Sequence, residues 1–141
     1  MLKIAAILFC VLLLSTNIAL SDTKRTQETK LRLFQWAHTS VDAGYVIVFV
    51  GNLKTSSGEP IPKAEIIIKI DAQCPHDGII AKGLTDSKGR YYIMTEAMIW
   101  DEKDNMIKAH AEFLGNAKYS TSISRDQIIV IYPSHGEKCE Q

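Results

Sequence analysis

Residues Glu112–Ser124 read EFLGNAKYSTSIS, and their spacing describes a chain reversal between two strands. Ahead of it Ile107, Ala109, Ala111 and Phe113 fall on every second position, with Lys108, His110 and Glu112 between them. A period of two is the signature of a strand with one face in a core. Phe113 ends that strand pointing inward, Gly115-Asn116 supplies residues that tolerate the reversal, and Tyr119 is placed to lay its ring over the end of the core. The chain then returns through Thr121–Tyr132 as a last strand.

Working outward, the same alternation, rich in β-branched residues, predicts strands at Leu31–Ala37, Tyr45–Leu53, Ala64–Ile70, Ile79–Thr85, Arg90–Thr95 and Met106–Leu114. Turn-forming pieces separate them: Asp42-Ala43-Gly44, Ser56–Pro60, Cys74–Gly78, Asp86–Gly89 and Gly115-Asn116. Pro60 has a fixed φ and no N–H, so it stops one strand and turns the chain into the next. Asp86 can accept hydrogen bonds from backbone N–H groups along its turn while Gly89 takes positive φ. Glu96–Lys103 reads as a loop or a single turn. About seven short strands at this pitch predict an all-β fold, a single antiparallel sandwich.

The N-terminus has a different composition. A short basic start, Met1–Lys3, precedes the apolar run Ile4–Leu14 and a small-residue pattern at Ala19-Leu20-Ser21, the layout of a secretory signal. Ile4–Leu20 is 17 residues long, the short limit for a membrane-crossing helix, so a retained anchor is the alternative. The expected organisation is a signal or anchor over 1–21, a polar tether over 22–30, the sandwich over 31–133 and a tail over 134–141. Removing residues 1–21 removes only Lys3, leaving 15 basic and 16 acidic residues, a net charge of −1. Such a balance, without a basic block, argues against nucleic acid or anionic lipid as partner; contact with a membrane is expected only through residues 4–20 if they are retained. In an exported chain Cys74 and Cys139 are most simply a disulfide, worth ~4 kcal/mol on the chain-entropy view for so long a loop.

Three stretches resemble the bacterial Ig-like domains of surface and adhesion proteins. The first is Val41-Asp42-Ala43-Gly44 with a strand ending Gly51-Asn52-Leu53, then Ser57-Gly58-Glu59-Pro60-Ile61 and Ala64-Glu65-Ile66. The second is Thr85-Asp86-Ser87-Lys88-Gly89-Arg90-Tyr91, and the third is Phe113, Gly115, Asn116, Tyr119, Ser122 and Ser124 within the stretch quoted above. The middle motifs are also similar to carboxypeptidase-regulatory-like and transthyretin-like sandwiches, and the Phe113–Ser124 pattern favours the Ig-like family. The resemblance implies an Ig-like sandwich and inward positions at Ile47, Phe49, Gly51 and Leu53.

If Ile47 and Phe49 point inward, Val46, Val48 and Val50 point outward, where a solvated face should carry polar residues. Tyr92 and Met94, with Phe34 and Trp36, extend the same outer face on neighbouring strands. A gathering of this kind is expected to be a surface to which another protein, or a second copy of the chain, binds; the alternative is that β-branched and aromatic residues simply suit strands, or that the tether or the Met98–Trp100 stretch folds back over them. No catalytic constellation is expected, since the four histidines lie in different segments and no nucleophile motif occurs. Cys74, His76, His135 and Cys139 have donor types suited to zinc or copper, but spacings that are not a zinc pattern. The expectation is therefore a non-enzymatic exported domain without cofactor or metal, acting by protein–protein contact in an envelope or extracellular assembly. The alternatives are a carbohydrate- or small-ligand-binding module using Trp100 and Tyr119, and metal handling through the cysteine and histidine segments.

Overall fold

The computed structural model describes residues 26–34, 40–72, 74–100 and 105–133. Nine strands occur in them: β1 Thr29–Leu33, β2 Ser40–Asp42, β3 Val46–Thr55, β4 Glu65–Asp71, β5 Ile79–Leu84, β6 Arg90–Glu96, β7 Met106–Phe113, β8 Ser122–Ile123 and β9 Gln127–Tyr132. No helix occurs among the described residues, so the all-β reading holds. The apolar run Ile4–Leu20 and the tail 134–141 lie outside the described residues.

The strands form two sheets. One has the order β1-β3-β6; the other runs β2-β9-β7-β4-β5, with β8 also on β7. Leu31, Leu33, Phe49, Leu53, Tyr91 and Ile93 from the first sheet share one buried cluster with Ile66, Ile68, Ile70, Ile107, Phe113 and Ile131 from the second. Two sheets enclosing one core is an arrangement consistent with a β-sandwich. The inward positions Phe49, Gly51 and Leu53 are buried, and Ile47 is half-buried against the same cluster.

Four sequence expectations change in detail. Residues 27–30, read as the end of a tether, are paired: Gln27 N–H donates to Lys118 O at 2.8 Å, Ser120 N–H donates to Gln27 O at 2.9 Å, and Thr29 already belongs to β1. The pairing partners are distant in sequence, so local polarity hid them. Ser40–Asp42, expected as loop leading into a turn, forms β2 and pairs parallel to β9, so the pairing is not wholly antiparallel. The expected last strand Thr121–Tyr132 is divided into β8 and β9, because residues 124–126 leave the ladder before pairing with β7 resumes at Gln127. The stretch Ala97–Trp100 packs inward, with Ala97 and Trp100 buried in the core. Trp100 therefore presents no exposed ring for stacking a sugar.

The corner quoted at the outset joins both sheets. Gly115 has φ 76°, a region natural to glycine. Asn116 Oδ1 accepts the N–H groups of Lys118 (2.9 Å) and Tyr119 (3.0 Å), closing the turn. Ser122 Oγ accepts the Leu31 N–H of β1 at 3.1 Å, and Ser124 Oγ accepts the Ala111 N–H of β7 at 2.9 Å. One serine thus reaches across to the first sheet and the other mends the gap in the second.

Candidate functional site

The outer face of β1-β3-β6 is ordered by strand register. Lys30 lies opposite Lys54, and Arg32 opposite Asn52, which faces Arg90 on its other side. The next level pairs Val50 with Tyr92, and Phe34 joins it through its N–H bond to Val50 O at 2.8 Å. Val48 then pairs with Met94, and Val46 with Glu96. Alternation puts all of these on the side away from the core, whose own contributions from β6 are Tyr91 and Ile93. The result is a continuous apolar stripe with a basic end and an acidic residue at the other.

Exposure follows from position in the sheet. Val46, Tyr92 and Met94 are 62%, 60% and 62% exposed, and Phe34 is 43% exposed. Val48 and Val50 are half-buried, being on the central strand between flanking side chains. Trp36, expected beside them, lies outside the described residues. The Met98–Ile99 segment packs against the core.

The residues behind the stripe fix its shape. Tyr91 points inward from β6, and its hydroxyl donates to the Arg32 carbonyl of β1 at 2.8 Å, passing β3 at Gly51. A Cβ on Gly51 would fall on both the Arg32 carbonyl oxygen and the Tyr91 hydroxyl, so the glycine is what lets the tyrosine tie the three strands together. Burial pushes the Tyr91 hydroxyl pKa well above its ordinary value and keeps it a donor. At the basic end Asp86 Oδ1 accepts the N–H groups of Lys88 and Arg90, both at 2.8 Å. Its Oδ2 meets Arg90 Nε and Nη2 at 3.0 Å. The backbone N–H of Arg90 is the largest cause holding the Asp86 carboxyl below its ordinary pKa.

The outer face of the other sheet is built differently. At its centre Lys69 Nζ lies 3.2 Å from Glu112, and His110 stands between Glu112 (3.2 Å) and Asp126 (3.5 Å). Burial raises the Glu112 pKa, but hydrogen bonds from His110 and Lys69, with their charges, outweigh it and hold the carboxyl below its ordinary range. The alternation that places His110 outward on its strand does not bring Asp126 to it, because Asp126 reaches it only through the kink between β8 and β9. These groups line an open cleft of about 490 Å³ with His76 and Asp77, and they anchor the residue 124–126 kink to β7. Leu84, Met106, Ile123, Ile128 and Tyr132 are also exposed; register sets Leu84 and Ile123 apart, whereas Met106 lies opposite Val130 and joins Ile128 and Tyr132 in a second, smaller apolar group on β7 and β9, beside the charged centre.

Cys74 is buried, 4% exposed, and its expected partner Cys139 lies outside the described residues. The candidate metal set is divided in the same way, since His135 and Cys139 are not described while His76 is exposed beside the cleft. Among the described residues no three His, Cys, Asp or Glu side chains are placed to hold a metal ion. Among them, too, no helix is long and apolar enough to cross a membrane. No protein-family model matches the chain, and no curated protein matches it.

Proposed function

We infer that this chain is an exported, non-enzymatic Ig-like β-sandwich that works by protein–protein contact, as a subunit or accessory module of an envelope or extracellular assembly. The Ig-like reading is supported by two sheets around one core, by an N-terminal region divided between them as β1 and β2, and by the Phe113–Ser124 corner. The Cys74–Cys139 disulfide belongs to the same proposal. The working surface is the outer face of β1-β3-β6.

The observation that carries the reading is the contiguous stripe of Phe34, Val46, Val48, Val50, Tyr92 and Met94, placed side by side by register, with Phe34, Val46, Tyr92 and Met94 exposed and Val48 and Val50 half-buried between them. Isolated exposed apolar residues are ordinary; a joined patch across three strands marks an interaction site. Covering it stabilises a complex by ~25 cal/mol per Å² of apolar surface, before the costs of association are subtracted. Ionising a side chain at its centre removes that gain and buries a charge against the partner.

The test is a Val48→Asp variant isolated from the native envelope or culture medium beside the unaltered protein. The expected outcome is loss of what the tagged, unaltered protein retains at this face, another protein or an untagged second copy, with an unchanged melting temperature, since Val48 is outside the core cluster. Equal recovery of the partner by both proteins contradicts the reading.

A further inference from the structure

We propose that the occupant of this stripe is a second copy of the same chain, stacked face to face about a two-fold axis that runs the strands of the two copies in opposite directions. The inference rests on the reading of the stripe as a contact surface and adds who makes the contact.

The argument is the distribution of charge along the stripe. Successive levels carry Arg32 with Arg90, then Tyr92 with Val50, then Met94 with Val48, then Glu96 with Val46. The sequence of levels is basic, apolar, apolar, acidic. Arg90 keeps Asp86 as a partner within its own turn, and its side chain remains largely exposed, while Glu96 makes no ion pair with another described residue. Glu28 lies beyond Lys30, outside these four levels.

Two stacked sheets align their strands within about 30°, so a two-fold operation has two ways to superpose the levels. With strands running the same way, each level meets itself, and the arginines of one copy press on those of the other. With strands opposed, the arginine level meets the Glu96 level at both ends and the two apolar levels meet each other at the centre. Only the second arrangement is self-complementary, and a two-fold interface makes each such pairing twice. A lipid surface would match the apolar levels but leave Glu96 against it. A partner that complements both ends must carry an acidic end and a basic end at this separation, which the chain itself already does.

The test uses the protein expressed from residue 1 and purified as the host processes it, followed by sedimentation with a melting curve for every variant. The unaltered protein is expected to be a dimer in the micromolar range that Val48→Asp dissociates. A Glu96→Arg variant and an Arg32→Glu/Arg90→Glu variant each put like charges at both ends, and each alone should dimerise at least about tenfold more weakly. Mixed in equal amounts, they should form a heterodimer within about threefold of the original affinity, because every end is then opposed by the other sign. If the loss of Arg90 unfolds the Asp86 turn, Arg32→Glu with Asn52→Glu, on the same level, serves in its place. Recovery on mixing supports the proposal. A protein that stays monomeric while Val48→Asp still abolishes capture of a different protein, or binding to vesicles, overturns the second copy and leaves the stripe as a contact surface. A dimer indifferent to Val48→Asp and to every charge reversal overturns both.

Discussion

At Gly51 a hydrogen atom is the largest substituent that fits. The Tyr91 hydroxyl passes this point to reach the Arg32 carbonyl at 2.8 Å, and both oxygens occupy the space a methyl group would need. Gly51→Ala is expected to destabilise the fold by about 3 kcal/mol, in the upper range for overpacking. Adding Tyr91→Phe should recover little of it, because the obstructing carbonyl belongs to the backbone. Denaturant melts of the two variants check this, and wild-type stability of Gly51→Ala would contradict it. Charge at single residues gives a pH signature. Asp86 and Glu112 both have depressed pKa values when folded, so in acid the unfolded chain binds more protons. Their contribution is complete above the ordinary carboxylate pKa and is lost as pH falls through the depressed folded values. Stability should therefore decline between about pH 5 and pH 2, with a shallower decline in Asp86→Asn; equal slopes in a pH series of urea melts would contradict the role given to Asp86.

At the scale of strands and turns, the reversal that opens the sequence reading is also the junction between sheets. Ser122 holds the Leu31 N–H on the edge strand β1, so Ser122→Ala should release one hydrogen bond, worth about 1 kcal/mol. Amide exchange at Leu31 should quicken more than at Ile68 on the interior strand β4, and uniform change across both would show that the serine does not act locally. Strands rich in β-branched and apolar residues between turn signals were legible: β3, β4, β6 and β7 start and end within two residues of their expected bounds. What alternation cannot show is pairing between distant segments. Gln27 joins the corner at Lys118 and Ser120, Ser40–Asp42 becomes a strand by lying along β9, and His110 meets Asp126 across a kink. Each depends on a neighbour more than 10 residues away in sequence, and none leaves a local pattern. Trp100 illustrates the same limit from the other side, since a tryptophan in an irregular segment is core here, not a ligand platform.

For the molecule as a whole, two sheets hide their inner faces from water and differ in what they show outside. The second sheet sets a charged centre of Lys69, His110, Glu112 and Asp126 beside a small apolar group of Met106, Ile128, Val130 and Tyr132, whereas the first carries an apolar stripe across all three of its strands. The stripe was legible because period two sends Val46, Val48 and Val50 to the side opposite Phe49. Its charged ends were less so, because Arg32, Arg90 and Glu96 come from three separate segments whose register appears only in the folded sheet. Two methionines report on the two faces: Met94, 62% exposed, lies in the stripe, and Met106, 57% exposed, lies on the outer face of the other sheet. Their similar exposure makes Met106 an internal reference. The most direct measurement is peroxide oxidation of both, followed by peptide mass spectrometry, at concentrations where the protein is assembled and again after dilution. The account predicts that Met94 is protected in the assembled sample and becomes as reactive as Met106 on dilution. Equal oxidation of the two in the assembled sample would contradict it.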